Sequence, residues 1–397
     1  MSDTAQDLEH EHHFQIYNRH PLTLTRGMGS RVWDAEGNEY IDALAGIAVN
    51  SLGHCHPKVV NAIQQQSERL IHASNFYYTQ PMSDLAAKLT QVSGLDRVFF
   101  CNSGGEAVEG AVKLARKYGH DRGKDDKILS MKNCFHGRTL GTIAMGKEKY
   151  WKGFEPVPGG FAQVPFNDAE ALEEAVTDDT IGVILEPIQG EGGIHPAEKE
   201  FLKKARQVCD EHGALLIFDE IQCGMGRTGA FYAFQRYGIR PDILTTAKAL
   251  GSGFPIGAFL AKEEVSQAFE PGQHGTTYGG NPVGCAAALT TLRVMQEKQI
   301  PAQALKKGKY TKSKLKEAAE DWDAIREIRG EGLMIGVDLN FKGKPVVTKM
   351  REKGVLSNCT SDTVIRLVPP LTIPNEDLNK VVEVLIESIK EVENETE

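Results

Sequence analysis

The stretch PDILTTAKALGSGFPIGAF, Pro241 to Phe259, decides how this chain is read. Ile243-Leu244-Thr245-Thr246-Ala247 is a short apolar run of the kind that makes a buried strand. Lys248 stands at the mouth of that strand, with Gly251 and Gly253 just beyond. The plain alternative is a rim lysine whose stem covers apolar surface while its ammonium reaches water. The other reading is a reactive amine, which has to be partly desolvated.

Working outward, ALLIFDEIQ (214–222) ends a second apolar run on Asp219 and Glu220. RVFFCNSGGEAVEGAVKLARKYG (97–119) passes from a strand into a helix through Ser103-Gly104-Gly105. Ser103 and Glu106 form the S-x-x-E pattern of a capping box. With KILSM, IGVILEP and IGAFLA, these runs alternate with amphipathic helices from about residue 55 to 300. That alternation predicts an α/β sheet, mostly parallel, with helices on both faces.

Beyond residue 300 the pattern changes. The charged stretch AQALKKGKYTKSKLKEAAE leads to GLMIGVDL, VIRLVPPL and DLNKVVEVLIESIKEV, which read as a smaller α+β domain. Near the N-terminus, Ser30 to Ile41 has the form of a hairpin turning at Glu36-Gly37-Asn38. The expected division is an N-terminal segment 1–55 belonging to the small domain, a large domain 56–300 and the rest of the small domain 301–397. Residues 1–20 are polar and read as a mobile tail.

Composition sets limits. A chain of 397 residues is too long for one simple core. Hydrophobic content of 41% and charged content of 25% suit a globular protein. A net charge of −9 argues against nucleic acid and anionic membrane surfaces as partners. No apolar run reaches the roughly 20 residues that span a bilayer. The acidic start MSDTAQDLEHEHHFQ lacks the apolar region of a secretory signal. Seven cysteines, an odd number with no CxxC pair, fit reduced thiols in a cytoplasmic protein.

A lysine, an acid and a glycine-rich helix start suit pyridoxal phosphate. Its aldehyde condenses with an amine, its pyridine nitrogen wants a carboxylate, and its phosphate wants backbone N–H donors at a helix N-terminus. In open α/β sheets ligands lie outside the carboxyl ends of the strands, where Asp219 and Lys248 both stand. Taken singly, each feature has a plain reading as a cap, a loop carboxylate or a rim charge.

Other residues fit the same chemistry. Phe135, in the loop after KILSM, is suited to stacking on a planar ring. Arg138 offers the planar fork that takes a carboxylate bidentately. His136 is a candidate catalytic base, though a loop histidine beside glycine is more often structural. Thr276 and Thr277 bring hydroxyls to a glycine-rich loop. EPIQGEGG places Glu186 and Glu191 after IGVIL, and Arg366 lies inside an apolar strand, where it wants an anionic partner. That partner makes either a fixed ion pair or a switch.

Two patterns mislead. Gly224-Met225-Gly226-Arg227-Thr228-Gly229 matches GxGxxG, but Asp219 and Glu220 just before it oppose a pyrophosphate. His54-Cys55-His56 suggests a metal cluster, yet three adjacent side chains converge poorly and no distant partner set is evident. A metal is not expected.

Together these motifs resemble the class III, or ω-amino acid, aminotransferases of PLP-dependent transferase fold type I. The likeness runs from GSRVWDAEGNEYIDALAGIAVNSLGHCHP, through DEIQCGMGRTG, to VIRLVPPLTI, nearly the whole chain. It implies a large, mostly parallel-sheet domain with a smaller α+β domain, and transamination with pyridoxal 5'-phosphate carried on Lys248. It implies that Ser103, Gly104 and Gly105 hold the phosphate and that Phe135 stacks on the ring. Asp219 would bind the pyridine nitrogen, Gln222 would sit by the phenolic oxygen, and Arg138 would take the substrate α-carboxylate. Thr277 would reach the phosphate of a second subunit, with Thr276 near the substrate, so a homodimer is implied. Gly105 stands where alanine is common and Thr276 where serine is common.

Within the family the motifs NSGGEAVEGAVKLARKY, FHGRTLGTIAMG, EPIQGEGG and HGTTYGGNP are most similar to members acting on N2-acetyl-L-ornithine. That implies an amino donor and 2-oxoglutarate as partners, in a ping-pong reaction of arginine biosynthesis. Enzymes for ornithine, succinylornithine and 4-aminobutyrate share most of these motifs. A racemase or aminomutase and a non-enzymatic binding module remain the alternatives of other kinds.

Overall fold

The computed structural model describes residues 4–124, 127–320 and 322–396. A seven-stranded sheet forms its centre, in the order 97–101, 257–261, 243–246, 215–219, 180–185, 127–131 and 161–164. Four of the six pairings are parallel. Gly257–Ala261 runs antiparallel to both of its neighbours. The sheet is therefore mostly parallel, as the alternation predicts. The strand Phe161–Val164 at its edge is short and not apolar enough to be read from the sequence.

The central strands Thr180–Leu185, Leu215–Asp219 and Ile243–Thr246 are buried along their whole length. Such two-sided burial follows from helices packed on both faces. It also explains why these segments are continuous apolar runs rather than alternating ones. Their carboxyl ends carry Asp219 and, two residues past Thr246, Lys248.

A second, antiparallel sheet holds 325–331, 334–339, 364–367 and 358–360 in that order. A third joins the hairpin Arg31–Asp34 and Glu39–Asp42 to Leu24–Met28 and, in parallel, to Val355–Leu356. The N-terminal hairpin is thus hydrogen-bonded to a strand more than 300 residues later in the chain. The polar N-terminal stretch contains a helix, Ala5–His12, capped by Thr4.

Gly224–Gly229 does not open a helix; the next one is the four-residue turn Phe234–Tyr237. His54 is tied to Asp42 at 2.7 Å. Among the described residues no group of three or more His, Cys, Asp or Glu is placed to hold a metal ion. All seven cysteines are free, and no described helix is long and apolar enough to cross a membrane.

Candidate active site

A cavity of about 420 Å³ opens at the carboxyl ends of the central strands. Its lining includes Ser103, Gly104, Gly105, Phe135, Arg138, Asp219, Gln222 and Lys248. Eight positions singled out in the sequence thus meet at one concavity, of a size that takes a cofactor or small ligand.

Lys248 begins a single 3₁₀ turn, Lys248–Leu250, directly after its strand. Its φ of +42° lies in the left-handed region, which is costly for a side chain with a Cβ. Burial pushes its ammonium pKa down, Glu191 works against that, and the Arg366 cation adds to it. Its amine has no hydrogen bond to a described residue. This is an amine held free and biased toward its neutral, nucleophilic form.

Asp219 is 4% exposed and heavily coordinated. Its Oδ1 accepts from the Ile221 amide and the Thr245 hydroxyl, both at 3.1 Å. Its Oδ2 lies 2.7 Å from His136 Nδ1. Burial opposes a charged His136 ring, but Cys134 and Asp219 beside it raise the imidazole pKa well above its ordinary value. His136 therefore contacts a candidate catalytic group, which its place in a loop beside glycine did not reveal.

Glu186 was noted in the sequence but given no task. It lies at the cavity wall and accepts from the amides of Phe135 and Gly190, each at 3.1 Å. Burial raises its pKa to about 7, with His136 opposing and Asp219 adding to the rise.

The helix Gly104–His120 starts at the cavity rim. Ser103 Oγ accepts from the Glu106 amide at 3.2 Å. The Glu106 carboxylate turns back to the Asn102 amide at 2.9 Å and the Ser103 hydroxyl at 3.0 Å, so the reciprocal bond is displaced by one residue from a capping box. The first amides of a helix have no intrahelical acceptor. Those of Gly104 and Gly105 have none in the described protein. A Cβ on Gly257 would fall 2.4 Å from the Ser103 carbonyl, so only glycine lets this strand approach the helix start. Unpaired amides, a free amine and a buried carboxylate on one cavity fit the three functional ends of pyridoxal phosphate.

Phe135 is half-buried and meets Tyr150 edge-on at 5.7 Å. The exposed Arg138 guanidinium lies 4.3 Å from the Tyr150 ring and 5.3 Å from that of Phe135. These ring contacts orient it without neutralising it.

Glu191 and Arg366 stand off the cavity lining but touch it through Gln222. Arg366 is fully buried, and its Nη1 donates to Glu191 Oε1 and, at 3.1 Å, to Gln222 Oε1. The anionic partner that an arginine in an apolar strand demands is Glu191. Burial raises the Glu191 pKa, but the Arg366 cation more than offsets it and holds the carboxylate below its ordinary range.

The structure does not bring Thr277 to this cavity; it is exposed on its loop. Thr276 Oγ1 accepts from Asn102 Nδ2 at 3.3 Å, one residue from the helix cap.

The family described as Aminotransferase class-III matches residues 15–389. The chain is 54% identical over 392 residues to the acetylornithine aminotransferase of Methanocaldococcus jannaschii, covering 97% of this chain and 98% of that one. A crystal structure of ornithine aminotransferase from Toxoplasma gondii, described as showing partial occupancy of PLP at its active site, matches with TM-score 0.95 and 34% identity. That match covers 99% of this chain and 96% of the other. Acetylornithine aminotransferase from Elizabethkingia anophelis matches with TM-score 0.89 and 36% identity over 97% and 98% of the two chains. The fold is that of the PLP-dependent transferases of fold type I. With a match of this extent in both sequence and structure, the chain belongs to the class-III aminotransferases.

Proposed function

We propose that this chain moves the δ-amino group of N2-acetyl-L-ornithine to 2-oxoglutarate, giving N-acetyl-L-glutamate 5-semialdehyde and L-glutamate, as a cytoplasmic homodimer serving arginine biosynthesis. The observation that carries the reading is a hydrogen-bond-free Lys248 amine on the same cavity as Asp219 and the unpaired amides of Gly104 and Gly105. The relatives' names supply the donor class.

Pyridoxal 5'-phosphate, when bound, supplies an electron sink that stabilises negative charge at the reacting carbon. The protein does the rest. Gly104 and Gly105, with Ser103 at the cap, would hold the phosphate at the helix N-terminus. Phe135 would cover one ring face, and Gln222 would sit by the phenolic oxygen. Asp219, held by the Ile221 amide, the Thr245 hydroxyl and His136, would face the pyridine nitrogen and hold a proton there. Lys248 Nζ would be the covalent anchor and, once displaced, the base that moves the proton to and from the reacting carbon. Arg138 clamps a substrate carboxylate, with Thr276 close by.

One site has to accept two unlike molecules. The reacting carbon of 2-oxoglutarate bears a carboxylate, and the δ-carbon of N2-acetylornithine bears none. Paired with Glu191, Arg366 does not favour the dicarboxylate over the amine. Released, it binds the additional carboxylate.

The dimer rests on an exposed aromatic surface. Phe76, Tyr77 and Tyr78 are 90%, 70% and 99% exposed, too large an apolar group to leave in water. Asn75 binds the carbonyls of Thr276 and Gly279 at 3.2 and 3.0 Å, tying this surface to the Thr277 loop. A second copy seated here would bring Thr277 toward its partner's phosphate site. Light scattering on Tyr78→Ser should show loss of the dimer together with weaker cofactor binding.

The likeness to ornithine aminotransferase makes ornithine the rival donor. Assaying acetylornithine, succinylornithine, ornithine and 4-aminobutyrate side by side tests the reading. Highest kcat/KM for acetylornithine is expected, and preference for another donor overturns the assignment.

A further inference from the structure

The short strand Asn358–Thr360 lies at the edge of its sheet, paired antiparallel with Val364–Leu367. Asn358 stands directly opposite Arg366, and Thr360 opposite Val364. Residues two apart on a strand share a face, so Asn358, Thr360, Val364 and Arg366 face one way. Asn358 Oδ1 accepts from Arg366 Nε at 3.1 Å. Thr360 Oγ1 donates to the Glu191 carbonyl at 2.8 Å, and Ser361 Oγ reaches the same oxygen at 3.4 Å. One edge strand therefore holds both halves of the Glu191–Arg366 pair, the cation by its side chain and the acid by its backbone.

The two halves differ in freedom. The Arg366 side chain is 1% exposed and that of Glu191 is 26% exposed. Thr360 grips the Glu191 carbonyl and not its carboxylate, which is held only by Arg366 and, at 3.5 Å, by Gln222 Nε2. Glu191 is thus the half able to swing. A buried guanidinium left behind needs other acceptors. Asn358 and Gln222 supply two, and both are neutral. A neutral acceptor satisfies the N–H groups without cancelling the charge, so the cation stays aimed and attractive.

We infer that Asn358 is a positioning residue that sets how readily the site admits a carboxylate on the reacting carbon. It does so by holding Arg366 in place, still charged, while Glu191 is away. This rests on the proposed use of 2-oxoglutarate.

The experiment measures the two half-reactions separately, by single-turnover absorbance, on the purified holoenzyme. Asn358→Leu keeps the side-chain volume and removes the acceptor. It should raise KM for 2-oxoglutarate about tenfold, the loss expected for a buried bond to a charged group. The half-reaction with the ω-amine donor should stay as in the wild type, whatever stability the lost acceptor costs the fold. Should the leucine variant fail to fold, Asn358→Asp carries the same test. Its added charge holds Arg366 to the strand, so KM rises for 2-oxoglutarate and glutamate and not for the ω-amine donor. An unchanged KM for 2-oxoglutarate overturns the inference. So does an equal loss in both half-reactions, which marks the strand as merely structural. Failure of the reading beneath it is recognisable separately, because wild-type enzyme would then not turn over 2-oxoglutarate at all.

Discussion

His136 Nδ1 lies 2.7 Å from Asp219 Oδ2, with both side chains almost wholly enclosed by protein. The carboxylate that faces the cavity is therefore part of a buried network with Thr245 and the Ile221 amide. Asp219→Asn keeps the shape but is neutral and cannot hold the pyridine nitrogen protonated. Its kcat should fall roughly 10²–10⁴-fold with the fold and cofactor retained. Near-normal kcat would remove Asp219 from its assigned role.

The same pair makes stability depend on pH. His136 has a folded pKa raised well above the ordinary 6.5. The folded state then holds the imidazole proton more tightly than the unfolded state. The stabilisation is fully present below 6.5 and is lost as pH rises through the raised folded value. Thermal melts of wild type and His136→Leu should therefore converge as pH rises above 6.5. A gap in Tm that stays constant across that window contradicts the pairing.

Lys248 is the residue on which borohydride treatment and peptide mapping should find the pyridoxyl group. Lys248→Ala should still bind cofactor through the phosphate and ring contacts. Its turnover should drop by several orders of magnitude, the loss expected of a residue proposed as both anchor and proton carrier. A label on any other lysine defeats the assignment.

Arg138 is oriented by two aromatic rings and offers a planar fork to a carboxylate. Arg138→Lys replaces the fork by a point charge. KM for the acylated diamine should rise about tenfold or more, with the visible spectrum of the resting enzyme unchanged. An unaltered KM moves the clamp elsewhere.

Glu191→Ala leaves Arg366 without its anionic partner. Single-turnover assays should show glutamate becoming the better donor and the acylated diamine the relatively worse one. Equal losses in both, with a lower melting temperature, would make the pair a fixed structural bridge.

What the sequence by itself determined was local. Apolar runs marked six of the seven strands of the large sheet, because strands buried on both faces have to be continuously apolar. Lys248, Asp219 and the Ser103-Gly104-Gly105 helix start could be picked out as strand ends and a helix cap, since each signal spans only a few residues. Tertiary structure alone decided the contacts between distant segments. His136 and Asp219 are 83 positions apart, and Arg366 and Glu191 are 175 apart. Asn358 is near Arg366 in the chain, but only strand register sets it opposite. A shift of one residue would turn Asn358 to the other face. The antiparallel Gly257–Ala261 strand was likewise hidden, because an apolar run does not record its direction. Side-chain chemistry is written residue by residue, whereas the hydrogen bonds that tune it form only once the backbone has brought remote residues within about 3 Å of one another.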